Sequence, residues 1–170
     1  MPALASRLAG RELLLDSNLL LLLLFGLVRP ESVGGKRLER YSMRQFQTLC
    51  EIVSSGRKIV VTPHVLAETS NLIRAALYGE PQHNALALLT LEELSWEDAS
   101  GRQSRVVLER HAPRELLNPE WVRNLGVTDA GLLFAAAESE PVLVTDDLDL
   151  YLGALRLDRE AENFSHVWDD

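Results

Sequence analysis

Cysteine is almost missing from this chain: among 170 residues there is one, Cys50. A lone thiol rules out an intramolecular disulfide framework and leaves no Cys-rich zinc pattern, so the reducing cytoplasm is the expected compartment. An excess of positive charge is missing too. With 17 Lys and Arg against 25 Asp and Glu, a formal net charge of −8 and a pI near 5.0, the chain is not built to coat nucleic acid by bulk electrostatics. An enzyme that acts on nucleic acid remains open, because clustered acids hold divalent cations that bridge to phosphate while a local basic strip docks the backbone. No uninterrupted apolar run reaches the ~20 residues that span a bilayer. The stretch from Leu13 to Val28 is broken by Asp16-Ser17-Asn18, and it does not show a signal peptide's charged start and small-residue cleavage site in convincing form. Repeats and low-complexity linkers are absent as well, and the length and 46% hydrophobic content suit a single domain over 1–170 with a sizeable core.

What is present begins with Leu13-Leu14-Leu15-Asp16-Ser17-Asn18, a short apolar run ending in an acid and two small polar residues. Parallel strands covered on both faces read as continuous apolar runs, and open α/β sheets bind ligands beyond the carboxyl ends of their strands. Asp16 falls at such an end, although Asp16 or Ser17 would equally cap the helix suggested by Leu19 to Phe25. That helix is apolar all round, which implies burial on more than one side, against the sheet and against a second subunit; a homodimer is expected. After a break at Gly26 to Gly35, the residues Leu38, Phe46, Leu49 and Val53 recur at helical spacing, with Arg37, Arg40 and Arg44 on the opposite face. Those arginines fit a solvated face or contacts to RNA phosphate.

Lys58 to Thr62 is a second β-branched run, and Thr62-Pro63 supplies a cap and first position for the helix that carries Glu68 about a turn and a half in. Further helices are expected from Ala85 toward Trp96, over Arg105-Val106-Val107-Leu108, and from Asn118-Pro119. Arg102, Arg105, Arg110 and Arg114 read as solvated charge. Thr128 is placed to cap a nearly all-apolar helix with Asp129 in its first turn, where the helix dipole favours a carboxylate. Pro141 to Thr145 is a third buried strand, followed at once by Asp146-Asp147-Leu148-Asp149; a last edge strand is expected over Phe164 to Trp168.

Three apolar strands separated by helices make a parallel βαβ arrangement the economical topology. Asp16, Glu68, Asp129 and one of the Asp146 to Asp149 group then collect at one edge of the sheet. Ionised carboxylates crowded in this way repel, and one takes up a proton unless a cation compensates. Magnesium or manganese, one ion or two, suits an all-oxygen ligand set, and such an ion activates water for phosphodiester hydrolysis.

In order along the chain, Leu-Leu-Leu-Asp16-Ser-Asn, Val-Thr-Pro-His-Val-Leu-Ala-Glu68, Val-Thr-Asp129-Ala-Gly-Leu-Leu-Phe and Thr145-Asp146-Asp147 resemble the four acidic motifs of the PIN-domain nucleases, over Leu13 to about Leu150. The fourth motif is Thr, any residue, Asp, which puts the fourth acid at Asp147, with Asp146 intervening and Asp149 able to assist. The resemblance implies a PIN-like three-layer α/β/α sandwich with a mainly parallel central sheet. It further implies a Mg- or Mn-dependent endoribonuclease, often dimeric, with Asp16, Glu68, Asp129 and Asp147 as catalytic metal ligands and Asp146 and Asp149 as further candidate ligands. Ser17 and Thr145, in motif positions, would orient ligands or touch substrate. Many such proteins are toxins of toxin-antitoxin modules, which would make an antitoxin protein a partner. This chain carries extra sequence around Arg29 to Tyr41 and Ser95 to Trp121 compared with the compact toxins, so the resemblance speaks to fold more directly than to that role.

Rival aspartate-centred families fit less well. A haloacid-dehalogenase-type phosphatase wants a second acid where Asn18 stands, and a receiver domain wants a lysine after a late strand, whereas the only lysines are Lys36 and Lys58. No Walker loop, dinucleotide glycine pattern or nucleophile elbow occurs. His64, His83, His111 and His166 have no metal-ligand spacing. The alternative from another class is a catalytically silent PIN-like scaffold that binds RNA or a protein partner.

Overall fold

The structure is a computed structural model, and it describes residues 3–76, 90, 106–108, 119–138 and 141–168. The chain forms α1 (Ala3–Leu8), β1 (Glu12–Leu15), α2 (Ser17–Val28), a 3₁₀ turn (Pro30–Ser32), α3 (Met43–Ser55), β2 (Lys58–Val61) and α4 (Pro63–Ala76). It continues through β3 (Val106–Leu108), α5 (Pro119–Glu138), β4 (Val142–Thr145), α6 (Leu148–Arg156), β5 (Ala161–Asn163) and a 3₁₀ segment (Phe164–Trp168). Apart from Thr90, which is helical, the expected helix from Ala85 toward Trp96 lies outside the described residues, as do Arg102, Arg105, Arg110 and Arg114.

The five strands make one sheet in the order β3-β2-β1-β4-β5, and every neighbouring pair is parallel. With helices layered on both faces, the architecture is a three-layer α/β/α sandwich, in agreement with the sequence pattern. Leu13, Leu14 and Leu15 of β1 and all four residues of β4 are buried, because a parallel strand flanked by helices has no solvent face. The chain moves outward from β1 to β2 and β3, then crosses back to place β4 on the other side of β1. The strand order therefore reverses between β1 and β4, and open α/β sheets bind ligands in the crevice at such a reversal, beyond the carboxyl ends.

Two strands come from places where the sequence points elsewhere. Val106-Val107-Leu108 is not helical; it pairs with Ile59-Val60-Val61 as an edge strand. A three-residue apolar run satisfies either periodicity, so its neighbour decides. The last strand is Ala161–Asn163 rather than Phe164–Trp168, because the Asn163 Oδ1 accepts the Ser165 amide at 2.8 Å and turns the chain. Phe164 then drops into the core.

Asp16 caps α2, and Leu19 through Phe25 are buried within this one chain, where α2 packs against α3 and α4. Intramolecular packing therefore accounts for the all-round apolar character that suggests a second subunit. The exposed large apolar side chains include Leu27 near the end of α2, and Leu148, Leu152 and Leu155 on one face of α6. A capping box between Ser42 and Gln45 starts α3 at Met43. Arg37 and Arg40 consequently precede the helix, and they do not share a helical face with Arg44. Among the described residues no helix is long and apolar enough to cross a membrane.

At the meeting of α2 and α3, a Cβ added to Gly26 would stand 2.2 Å from the Phe46 ring. Alanine would contribute roughly 1 kcal/mol of helix propensity there, against an overpacking cost of about 1–3 kcal/mol. Gly26→Ala is expected to lower the urea midpoint, and adding Phe46→Leu to restore part of it. An unchanged midpoint would mean that the two helices part without cost.

Candidate active site

The register of β1 on β4 builds the centre of the site. Leu15 pairs with Val144, which sets Asp16 beside Thr145 just past the two strand ends. The Thr145 hydroxyl donates to Asp16 Oδ2, and the Asp146 amide donates to the same oxygen at 3.2 Å. Asp16 Oδ1 accepts the Leu19 amide at 2.8 Å. The capping and site readings of Asp16 thus coexist in one side chain, one oxygen turned to each. Thr145 also accepts the Asp147 amide at 2.9 Å through its hydroxyl oxygen, so a single buried hydroxyl fixes both Asp16 and the start of the Asp147 turn.

Glu68 arrives from α4. Thr62 caps this helix by accepting the Val65 amide at 3.2 Å, with Pro63 at the first position. Ser17, next to Asp16, donates its hydroxyl to Glu68 Oε2 at 2.9 Å. Asp129 arrives from α5, whose helical path breaks at Gly126 (φ 83°, ψ 171°). That backbone region belongs almost solely to glycine. The break comes ahead of Thr128, the residue expected as cap, and Asp129 still occupies the first turn of the second half. Asp147 caps α6 through Oδ1, which accepts the Asp149 and Leu150 amides at 2.8 and 3.0 Å. Asp149 is exposed in the first turn of that helix.

The electrostatics tie these acids together. Burial, and then the charge of Asp146, push the Asp16 carboxyl up to about 7. Burial, and then the charges of Asp147 and Glu68, push Asp129 up to about 7 as well. Among the described residues no Arg or Lys pairs with Asp16, Glu68, Asp129 or Asp147. The opposite edge of the sheet differs, since Glu12 pairs with Arg57 and Glu160 with Arg11 there. At the carboxyl edge Asp146 pairs with Arg40, while Asp16, Glu68, Asp129 and Asp147 have no such partner among the described residues.

The acids are neighbours without forming a closed ligand set. Among the described residues, no three Asp, Glu, His or Cys side chains stand close enough together, as placed, to hold a metal ion. The donor set nonetheless suits a hard divalent cation: all oxygen, two members with raised proton affinity, and two, Glu68 and Asp147, exposed to solvent.

One contact at the site carries no sequence signal, that of Asp146 with Arg40 and Tyr41. Asp146, the variable residue of the Thr-x-Asp motif, has only 4% of its side chain exposed and pairs with Arg40 at 2.8 Å. The Tyr41 hydroxyl donates to Asp146 Oδ2, and burial followed by the Asp146 charge raises the affinity of that phenol for its proton. A contact spanning 105 residues of chain leaves no local pattern to read. In comparisons with known proteins, the chain matches no family model and no curated protein.

Proposed function

We propose that the protein is a PIN-like, magnesium- or manganese-dependent endoribonuclease. The convergence of Asp16, Glu68, Asp129 and Asp147 on the crevice where the strand order reverses carries this reading. These four carboxylates would hold the cation. When bound, it would activate an attacking water and stabilise charge developing on the phosphodiester. Thr145 orients Asp16, and Ser17 orients Glu68, so each contact sets the direction of a candidate ligand. Asp149, exposed in the first turn of α6 beyond Asp147, is available to the same cation.

Docking of the RNA backbone falls to basic side chains near this edge. Arg40 is half exposed and already committed on one side to Asp146, so replacing it would alter the site as well as any phosphate contact. Arg37 and Arg44, both exposed, are further candidates for phosphate contact. The toxin role, an antitoxin partner and a homodimer belong to the same family reading and rest on the ordered motifs alone.

A second reading is favoured by one observation, the absence of a closed ligand set among the described residues. It makes the chain a scaffold that binds RNA or protein without cutting. The discriminating experiment is incubation of purified protein with a broad panel of single-stranded RNAs, with manganese and with EDTA. Manganese-dependent cleavage is expected. RNA bound but left intact in manganese would make the chain a scaffold.

A further inference from the structure

Between α2 and α3 the chain runs through a strap, residues 29–42. It is a succession of turns: the Gly35 amide donates to the Ser32 carbonyl at 3.0 Å, the Leu38 amide to Gly35 at 2.8 Å, and the Tyr41 amide to Leu38 at 2.9 Å. Arg37 takes a left-handed backbone conformation (φ 74°), which a non-glycine residue adopts only at a cost. Leu38 and Tyr41 are buried and anchor the strap to the core.

The strap delivers two donors to one acid. Arg40 Nη2 reaches both oxygens of Asp146, at 2.8 and 3.1 Å, while its guanidinium lies 5.0 Å from the centre of the Tyr41 ring. The Tyr41 hydroxyl completes the set. With Arg40 as its counter-charge, the Asp146 carboxylate is bound within the protein. Its backbone sits where the two neighbouring candidate ligands are aimed. The Asp146 amide donates to Asp16, and the next amide, that of Asp147, donates to Thr145, whose own hydroxyl donates to Asp16.

We propose that Arg40 and Tyr41 are positioning residues: they clamp the Asp146 carboxylate and so fix the turn after β4 that directs Asp16 and Asp147. The clamp rests on the geometry of the turn, while its consequence for catalysis rests on the nuclease reading above. It assigns Asp146 to the support of the site and Asp147 to the ligands, a division that the adjacent acids do not show in sequence. The strap thereby makes the geometry of the carboxyl edge depend on a segment with none of the four acids.

The test uses the full chain and two variants. Tyr41→Phe keeps the ring and removes only the hydroxyl; Arg40→Gln removes the charge from a half-exposed residue and serves if the first variant does not fold. Amide hydrogen exchange without metal reads the clamp directly. Faster exchange is expected at Asp146 and Asp147, with no change at Leu13 and Leu14, which lie within β1 opposite Val142 and Leu143. The manganese concentration giving half-maximal thermal stabilisation is expected to rise about 10- to 100-fold, the usual effect of losing a group that orients a ligand. Unchanged exchange at Asp146 and Asp147, or an acceleration spread evenly over β1 and β4, would overturn the clamp. If the wild-type chain shows no response to manganese while exchange at the turn still accelerates in the variant, the clamp stands and the metal-dependent reading falls.

Discussion

Asp129→Asn is expected to leave the chain folded and to reduce manganese-dependent RNA cleavage by at least about a hundredfold, the upper end of what losing a ligand-supporting group costs. Asp129 is the cleaner choice of the four acids. Asp16 is tied into the fold by three hydrogen bonds, from Leu19, Thr145 and Asp146. An amide at position 16 would turn a donor toward one of these donors, so lost activity would be mixed with lost stability. Asp129 instead has its neighbours in Asp147 and Glu68, and the interaction with both is repulsive. Removing its charge relieves that repulsion. The variant should therefore be at least as stable as the wild type in EDTA, while losing most of the stabilisation that manganese gives. Single-turnover cleavage and thermal melts on the same preparations check both halves. Undiminished cleavage would remove Asp129 from the site.

The second large effect is on stability against pH. Asp16 and Asp129 each titrate near 7 in the folded chain, against an ordinary aspartate value of 3.8. Between those values the folded state holds protons that the unfolded state has released. Stability from these groups is therefore greatest below about pH 4, falls as pH rises toward 7, and is level above that. For the fully buried Asp16 the loss is on the order of a few kcal/mol; for the less buried Asp129 it is smaller. A bound cation compensates the ionised carboxylates, so manganese should stabilise most near pH 8 and little near pH 5. Urea denaturation at both pH values, in EDTA and in manganese, measures this. The difference between wild type and Asp129→Asn isolates one group from the other titrations of the chain. A wild-type slope parallel to that of the variant would show that Asp129 titrates normally.

The sheet and its site are legible in the sequence to different depths. Leu13 to Leu15, Lys58 to Val61 and Val142 to Thr145 can be read because continuous apolar runs ending in Asp16, Thr62 and Asp146 are what doubly covered parallel strands require. Val106–Leu108 cannot, since three residues do not distinguish a strand from a helical turn without the partner β2. Within the site, Asp16, Glu68 and Asp129 are marked by their places after strands or near helix starts. The hydrogen bonds of Ser17 to Glu68 and of Thr145 to Asp16 give those two hydroxyls definite partners. Arg40 reads as part of a charged helix face, but the capping box at Ser42 starts the helix after it and leaves Arg40 to meet Asp146. Local patterns report local structure; a contact between the strap and the turn after β4 is set by how the whole sheet closes.

The pairing of β1 with β4 also orders events in time. Asp16 and Thr145 are 129 residues apart in sequence yet joined by a hydrogen bond. Contacts of such separation are expected to form late in folding, because the entropy of closing the intervening chain comes before any gain from the contact. During synthesis β1 emerges first and has to wait for α5 and β4 before its acid has company. A partly made chain therefore carries Asp16 and Glu68 but no assembled site. The topology that gathers the acids also keeps them apart until β4 has been translated, so the Asp16 contacts to Thr145 and Asp146 cannot form before then.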